Sequence, residues 1–152
     1  MTGEDLQNNF IIREYSEGDY DGILKFWDLT GMGSPERGDS REIIENTIRL
    51  GGSLLVLEEK GTGKISGTSW MTFDGRRILL HHFGILPEFQ GNGLSKTLLK
   101  ESLQFVKEKG FQVKLEVHSQ NINAVSLYTK FGFKQLPGYN IYIIRDISKL
   151  LI

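Results

Sequence analysis

The sequence predicts an α/β fold, more narrowly an α+β arrangement in which a mixed sheet is flanked by helices. Three observations carry that prediction. Three apolar runs follow one another between Ser53 and Ile85, separated by the turn formers Lys60-Gly61-Thr62-Gly63 and Asp74-Gly75, which reads as an antiparallel meander. The third run leads through Gln90-Gly91-Asn92-Gly93 into a segment where Leu94, Leu98, Leu99, Ser102, Phe105 and Val106 recur at helical spacing. Another apolar run, Phe111 to His118, follows that helix. A strand–helix–strand unit of this length is a right-handed crossover, so its two strands lie parallel and the sheet is mixed.

Met1 to Asn9 reads as a polar tail and Phe10 to Glu14 as a short strand. Ser16, with Asp19 three positions on, resembles a capping box ahead of a helix whose apolar side is Tyr20, Ile23, Leu24 and Trp27. Thr30 to Gly38 is a glycine-rich loop with one proline. Asp39 or Ser40 caps a second helix with Ile43, Ile44, Thr47 and Ile48 on its apolar side, and Gly51-Gly52 stops it. After the meander and crossover, a short helix runs from about Ile122 to Phe131, with Gly132 just past its end. Phe133 to Leu136 and Asn140 to Asp146, joined by Pro137-Gly138, then read as a closing hairpin.

The totals bound the function. At 152 residues the chain is expected to form one domain, 1–152, with 1–9 as the tail. Lys+Arg number 18 against 19 Asp+Glu, so a net charge of -1 offers no bulk attraction for nucleic acid or an anionic membrane, and neither is an expected partner. With no cysteine, disulfides, thiolate metal sites and a cysteine nucleophile are excluded. The first nine residues lack the apolar run of a signal peptide and no window approaches a membrane span, so a cytoplasmic protein is expected.

The glycine turn carries the chemistry. A helix start exposes backbone N–H groups and the positive end of the helix dipole, which suits a phosphate, and glycine allows close approach to the backbone. Gln90, Gly91, Asn92, Gly93, Leu94, Ser95 and Lys96 therefore read as a pyrophosphate cradle. Gln90-Gly91-Asn92-Gly93-Leu94-Ser95 looks like the acyl-CoA signature of the GNAT acetyltransferase superfamily. Asn121-Ile-Asn-Ala124 through Tyr128, followed by Gly132-Phe133, is similar to that family's second motif. The order of elements from Phe10 to about Asp146 resembles the same family. One departure is Ser95, where the family prefers Gly or Ala; a serine is small, and its hydroxyl can itself reach a phosphate oxygen.

The resemblance implies a GNAT-like acyl-CoA N-acyltransferase fold, a mostly antiparallel sheet whose parallel strands splay apart, and acetyl-CoA as co-substrate. It implies that Phe83, Gly84 and Ile85 pair with the pantetheine arm in that gap, that Asn121 hydrogen-bonds the arm, and that Tyr128 protonates the departing thiolate. Gly84 fits independently, because glycine inside a strand often marks a bulge or a close backbone approach. Asn121 and Tyr128, seven residues apart, share one helix face, where Asn121 can equally cap the helix and Tyr128 pack on the sheet. The reference pKa of a phenol is about 10, against about 8.5 for a thiol.

Acyl transfer needs a neutral amine. At pH 7 that costs a lysine side chain roughly 4–5 kcal/mol and an α-amine only about 1 kcal/mol, so the demand for a base depends on the acceptor. Glu116 is one candidate, since Leu115-Glu116-Val117, three residues, then Asn121 looks like the ribosomal-protein alanine N-acetyltransferase branch; a strand glutamate paired with a cation is the other reading. His81 and His82 are further candidates. Adjacent strand residues face opposite ways, so one of them is expected to point at the acceptor pocket and work through water. That neighbouring pair cannot both ligate one metal without distortion, and no metal site is expected. In this family the loop between the first two helices, here Gly31 to Ser40, and the last hairpin around Tyr139 line the acceptor side; Glu36, Arg37 and Asp39 either read a charged substrate or are solvated. The expected activity is transfer of acetyl to a primary amine of a small molecule or a protein by direct attack in a ternary complex. A non-catalytic acyl-CoA sensor on the same fold is the alternative. Dimers are common in such folds, so a homodimer is the expected assembly.

Overall fold

The computed structural model describes residues 2–152; Met1, the first residue of the expected tail, lies outside the described residues. The chain falls into two compact units, Met1–Glu116 and Val117–Ile152.

The first unit is a five-stranded sheet in the order β1-β2-β3-β4-β5. The strands are β1 (Phe10–Glu14), β2 (Ser53–Glu59), β3 (Ile65–Phe73), β4 (Ile78–Ile85) and β5 (Val113–Leu115). The first three pairings are antiparallel and β4 pairs with β5 in parallel, as the crossover requires. Between β1 and β2 lie α2 (Tyr20–Thr30) and α3 (Arg41–Arg49), and α4 (Leu94–Lys109) joins β4 to β5. Buried Ile23, Phe26 and Trp27 of α2 and Ile44 of α3 pack with Leu54, Val56, Trp70 and Leu86. From α4, Ser102 reaches Ser69 of β3, their hydroxyls 2.6 Å apart and fully buried. Helices thus cover both sides of β3, and every residue from Ile65 to Met71 is buried. Local signals set the ends. Ser40 Oγ accepts the Ile43 N–H at 3.3 Å and so caps α3, and Gly110 ends α4 in the left-handed region.

The structure corrects the reading of residues 1–9 as a tail. Residues Gly3–Asn8 form a helix, α1, started by a capping box in which Thr2 Oγ1 accepts from Asp5 N and the Asp5 carboxylate accepts from Thr2 N, at 3.1 and 3.0 Å. Polar composition hid a helix whose stability comes from its cap and from what it docks against.

In the second unit α5 (Ile122–Lys130) ends at Phe131 and Gly132, the latter at φ +93°. The expected closing hairpin is absent: residues 133–146 contain no strand, and Ile141, Tyr142 and Ile143 are exposed at 70%, 87% and 69%. The Pro137-Gly138 turn signal is honoured, with Gly138 at φ +84°. Alternating apolar residues are a necessary sign of a strand, but a two-stranded ribbon by itself buries too little to hold together.

Candidate active site

The glycine turn is held in place by the residues before it. After β4, Leu86 donates its N–H to Ser66 O at 2.8 Å, and the Phe89 ring meets Phe10 edge-on at 4.8 Å, which anchors the chain before the turn. Gly91 and Gly93 lie at φ +82° and +83°. A Cβ on Gly91 would meet nothing within 4 Å, so backbone conformation, not space, selects glycine there. Gly93 is the N-cap of α4, no side chain caps the helix, and its first turn holds no acidic residue. In α1, α3 and α5, Thr2, Ser40 and Asn121 cap the first turn. α2 also lacks a side-chain cap but carries Asp21 in its first turn; among the described residues, α4 has neither a capping side chain nor an acid there, so its dipole end and first amides are compatible with an anion. Gln90, Gly91, Gly93 and Lys96 are exposed, Asn92 and Ser95 half-buried and Leu94 buried in the core.

Sequence reading missed Gln7 at this turn. Its amide donates to Asn92 O at 3.0 Å, and its carbonyl oxygen accepts from the Thr97 hydroxyl at 3.3 Å. A Cβ on Gly93 would lie 2.7 Å from Gln7 Nε2. One side chain from α1 therefore braces both the turn and the first turn of α4. No local signal betrays a contact across 85 residues.

β4 opens where the resemblance implies a gap. Its parallel pairing with β5 covers only Ile78, Leu79 and Leu80; from His81 to Ile85 it is paired with β3 alone. Phe83, Gly84 and Ile85 therefore lie on a stretch of β4 that β5 does not cover. Gly84 is also a close-approach glycine, since a Cβ there would collide with the Met32 methyl from the α2–α3 loop.

Within this stretch the expected opposite facing of His81 and His82 fails. Trp70 pairs with His81 and Thr68 with Gly84, so two steps on β3 oppose three on β4, a β-bulge. His82 sits in it at φ +47°, an uncommon place for a non-glycine residue. The bulge breaks strand alternation and turns both rings the same way, with their Nδ1 atoms 2.9 Å apart. Neutral groups hold the bulge. Thr68 Oγ1 donates to His82 O at 2.6 Å and accepts from Trp27 Nε1 at 2.9 Å; Trp27 packs on His82 and Trp70 stacks on His81. His82 Nε2 also faces the Asp39 carboxylate at 3.1 Å. Asp39 is buried and does not cap α3, the role falling to Ser40. The burial of Asp39 against His82 goes against the solvated reading of the sequence and does not establish the charged-substrate one. Burial, with a smaller contribution from His82, pushes the His81 imidazole down to about 3, so His81 is neutral at pH 7.

Glu116 lies one residue beyond β5 and is exposed, so it is not a strand residue as expected. In the second unit Asn121 Oδ1 accepts from Ala124 N at 3.3 Å, which is the capping role. Tyr128 is buried against Phe133, ring centroids 5.6 Å apart, and burial pushes its phenol up to about 12.

A mixed sheet that opens beside a glycine-turned helix start defines a class, the N-acyltransferase folds. Comparison with known proteins agrees. A Bacillus subtilis (strain 168) protein with the provisional name ribosomal protein bS18-alanine N-acetyltransferase is 29% identical over 136 residues, 88% of this chain and 85% of that one. Rat N-acetyltransferase 8B is 26% identical over 115 residues, 74% of this chain but 47% of its own length, so the chain spans about half of that relative. The solved structure of a predicted acetyltransferase with acetyl-CoA from Clostridium acetobutylicum superimposes with a TM-score of 0.70 at 15% identity, covering 88% of this chain and 96% of that one. The model of the Acetyltransferase (GNAT) family matches residues 20–133, and the chain belongs to that family.

Proposed function

We propose that the protein is an N-acetyltransferase that moves acetyl from acetyl-CoA to a primary amine of a small molecule or a protein, by direct attack within a ternary complex. The observation that carries this reading is the acid-free start of α4 behind Gly91 and Gly93, next to the stretch of β4 that lies beyond its pairing with β5. Acetyl-CoA supplies the activated acyl group. The amides of residues 91–96 hold its pyrophosphate, the backbone of Phe83, Gly84 and Ile85 aligns its arm, and Asn121, through the part of its amide not used in capping, contributes a further hydrogen bond.

Tyr128 keeps its proton at neutral pH because burial disfavours the phenolate. Handing that proton to a free thiolate of pKa about 8.5 would be uphill. Tyr128 therefore donates to a departing sulfur that is itself desolvated in the closed site, because desolvation raises the thiolate's proton affinity as it raises the phenol's. The base is drawn from Glu116 and the His81–His82 pair. Glu116 is exposed, whereas the histidines lie on the open stretch of β4, which favours the pair. We expect a cytoplasmic setting and a homodimer; sizing in solution tests the latter.

An acceptor screen that follows free CoA release tests the reading. Release that requires an amine supports it. Thermal stabilisation by acetyl-CoA without release from any amine indicates the non-catalytic sensor, and no stabilisation eliminates both.

A further inference from the structure

Beyond the acetyl-transfer reading, on which its chemical use rests, the α2–α3 loop holds a buried carboxylate against the histidines. Asp39 Oδ2 accepts from Ser34 N at 3.0 Å and faces His82 Nε2 at 3.1 Å. The loop is pressed so close that a Cβ on Gly33 would lie 2.5 Å from His82 Nε2 and collide with the Asp39 carboxylate. An ionised carboxylate only accepts, so the hydrogen lies on His82 Nε2. A neutral His82 then presents a lone pair at Nδ1. The two Nδ1 atoms, 2.9 Å apart, need one hydrogen between them, and His81 must supply it. What is left is His81 Nε2, buried and without a hydrogen-bond partner among the described residues. A buried polar atom left unpaired is costly and invites a functional explanation.

We propose that Asp39 is a positioning residue which, through His82, fixes both imidazole tautomers and so leaves His81 Nε2, covered in the free protein, as the lone pair that takes the attacking amine's proton once the entering acceptor uncovers it. The balance is as follows. The amine nitrogen pair forms the bond to the acyl carbon, the carbon–sulfur pair leaves on sulfur, and Tyr128 protonates that sulfur. The proton released from nitrogen binds His81 Nε2 while His81 Nδ1–H passes to His82 Nδ1. The positive charge comes to rest on His82 beside Asp39, and the proton returns through solvent as Tyr128 regains its own. His81, which burial prevents from holding a charge, is a conduit, and His82 with Asp39 is the store. Trp27, Trp70 and Thr68, which touch the rings or the His82 carbonyl from α2 and β3, are neutral and leave Asp39 to set the direction of the chain.

Nitrogen-15 NMR of the protein alone reads the imidazole tautomers directly. Wild type is expected to show His82 protonated at Nε2 and His81 at Nδ1 near pH 7. In Asp39→Asn, whose amide can donate as well as accept, the His82 assignment is expected to mix or invert. The same variant is expected to lower kcat at least tenfold with acetyl-CoA stabilisation unchanged, and Asp39→Glu to recover part of the loss. Wild-type His82 protonated at Nδ1 would overturn the proposal, whatever the variants do. So would an Asp39→Asn enzyme with the altered tautomer and full kcat. The NMR arm needs no substrate, so a failure to find any acetylated amine counts against the acetyl-transfer reading and not against the tautomer assignment.

Discussion

The two halves of β4 are made of similar sequence and do opposite work. Ile78, Leu79 and Leu80 are paired on both edges and alternate in, out, in, with Ile78 and Leu80 in the core. From His81 to Ile85 the strand has only β3 beside it, carries a bulge with a left-handed histidine, and meets the α2–α3 loop at Gly84 and His82. The first half is a regular ladder whose side chains do nothing but pack. In the second, pairing with β5 lapses, and the bulge gathers ionisable rings that alternation would have kept apart. A strained backbone position persists only where the surrounding structure is firm enough to hold it, and here the Trp27–Trp70 stack and Thr68 supply that firmness around His82.

The largest expected effect breaks the structural half. Ile78→Ala removes a fully buried side chain and is expected to cost about 2–5 kcal/mol in chemical denaturation, with the histidine tautomers unchanged. If those tautomers shift with it, the two halves are not separable. At the cradle beyond the strand, Gly93→Val forces a β-branched residue into φ +83° and places atoms against Gln7. Wild type at a hundred times the Kd for acetyl-CoA gains about 2.7 kcal/mol, and the variant is expected to show none of that gain in a thermal-shift titration.

The next effect belongs to His81 itself. Folded, it binds a proton only near 3, whereas unfolded it does so near the ordinary value of 6.5. Between those limits the unfolded chain binds more protons, so stability is lost as pH falls from about 7, with a slope approaching about 1.4 kcal/mol per pH unit. Denaturation at pH 7 and pH 5 is expected to show a loss for wild type about 2 kcal/mol greater than for His81→Phe. Equal losses in the two proteins would mean that burial of the ring is not what the stability senses.

Smaller still is Tyr128→Phe, expected to lower kcat at least tenfold, about 1.4 kcal/mol in the barrier, while acetyl-CoA stabilises the variant as it does wild type. Unchanged turnover would remove Tyr128 as the acid. Smallest is Gln7→Ala. It loses two part-buried hydrogen bonds at the cradle, and is expected to raise the KM for acetyl-CoA a few-fold with kcat kept, an effect of about 1 kcal/mol. A change in kcat instead would place the influence of α1 on the chemistry and not on the turn.

What the sequence by itself determined is whatever short-range chemistry encodes. Asp74-Gly75 turned the hairpin, Gly91 and Gly93 shaped the turn before α4, Gly110 ended α4, and Ser40 and Asn121 capped their helices, because each acts on backbone within a few residues of itself. The meander and its parallel addition follow from apolar patterning and the handedness of the crossover. Tertiary structure alone decided the rest. It set the two histidines on one side of a bulge, sent Asp39 inward to them across 43 residues, and docked Gln7 on the cradle across 85. It also left Asn140 to Asp146 out of any strand. The physical reason is common to all four: strand alternation, capping preference and apolar spacing describe a segment alone, whereas a bulge, a buried charge or a sheet edge exists only when a distant segment is present to pair with it or to decline to.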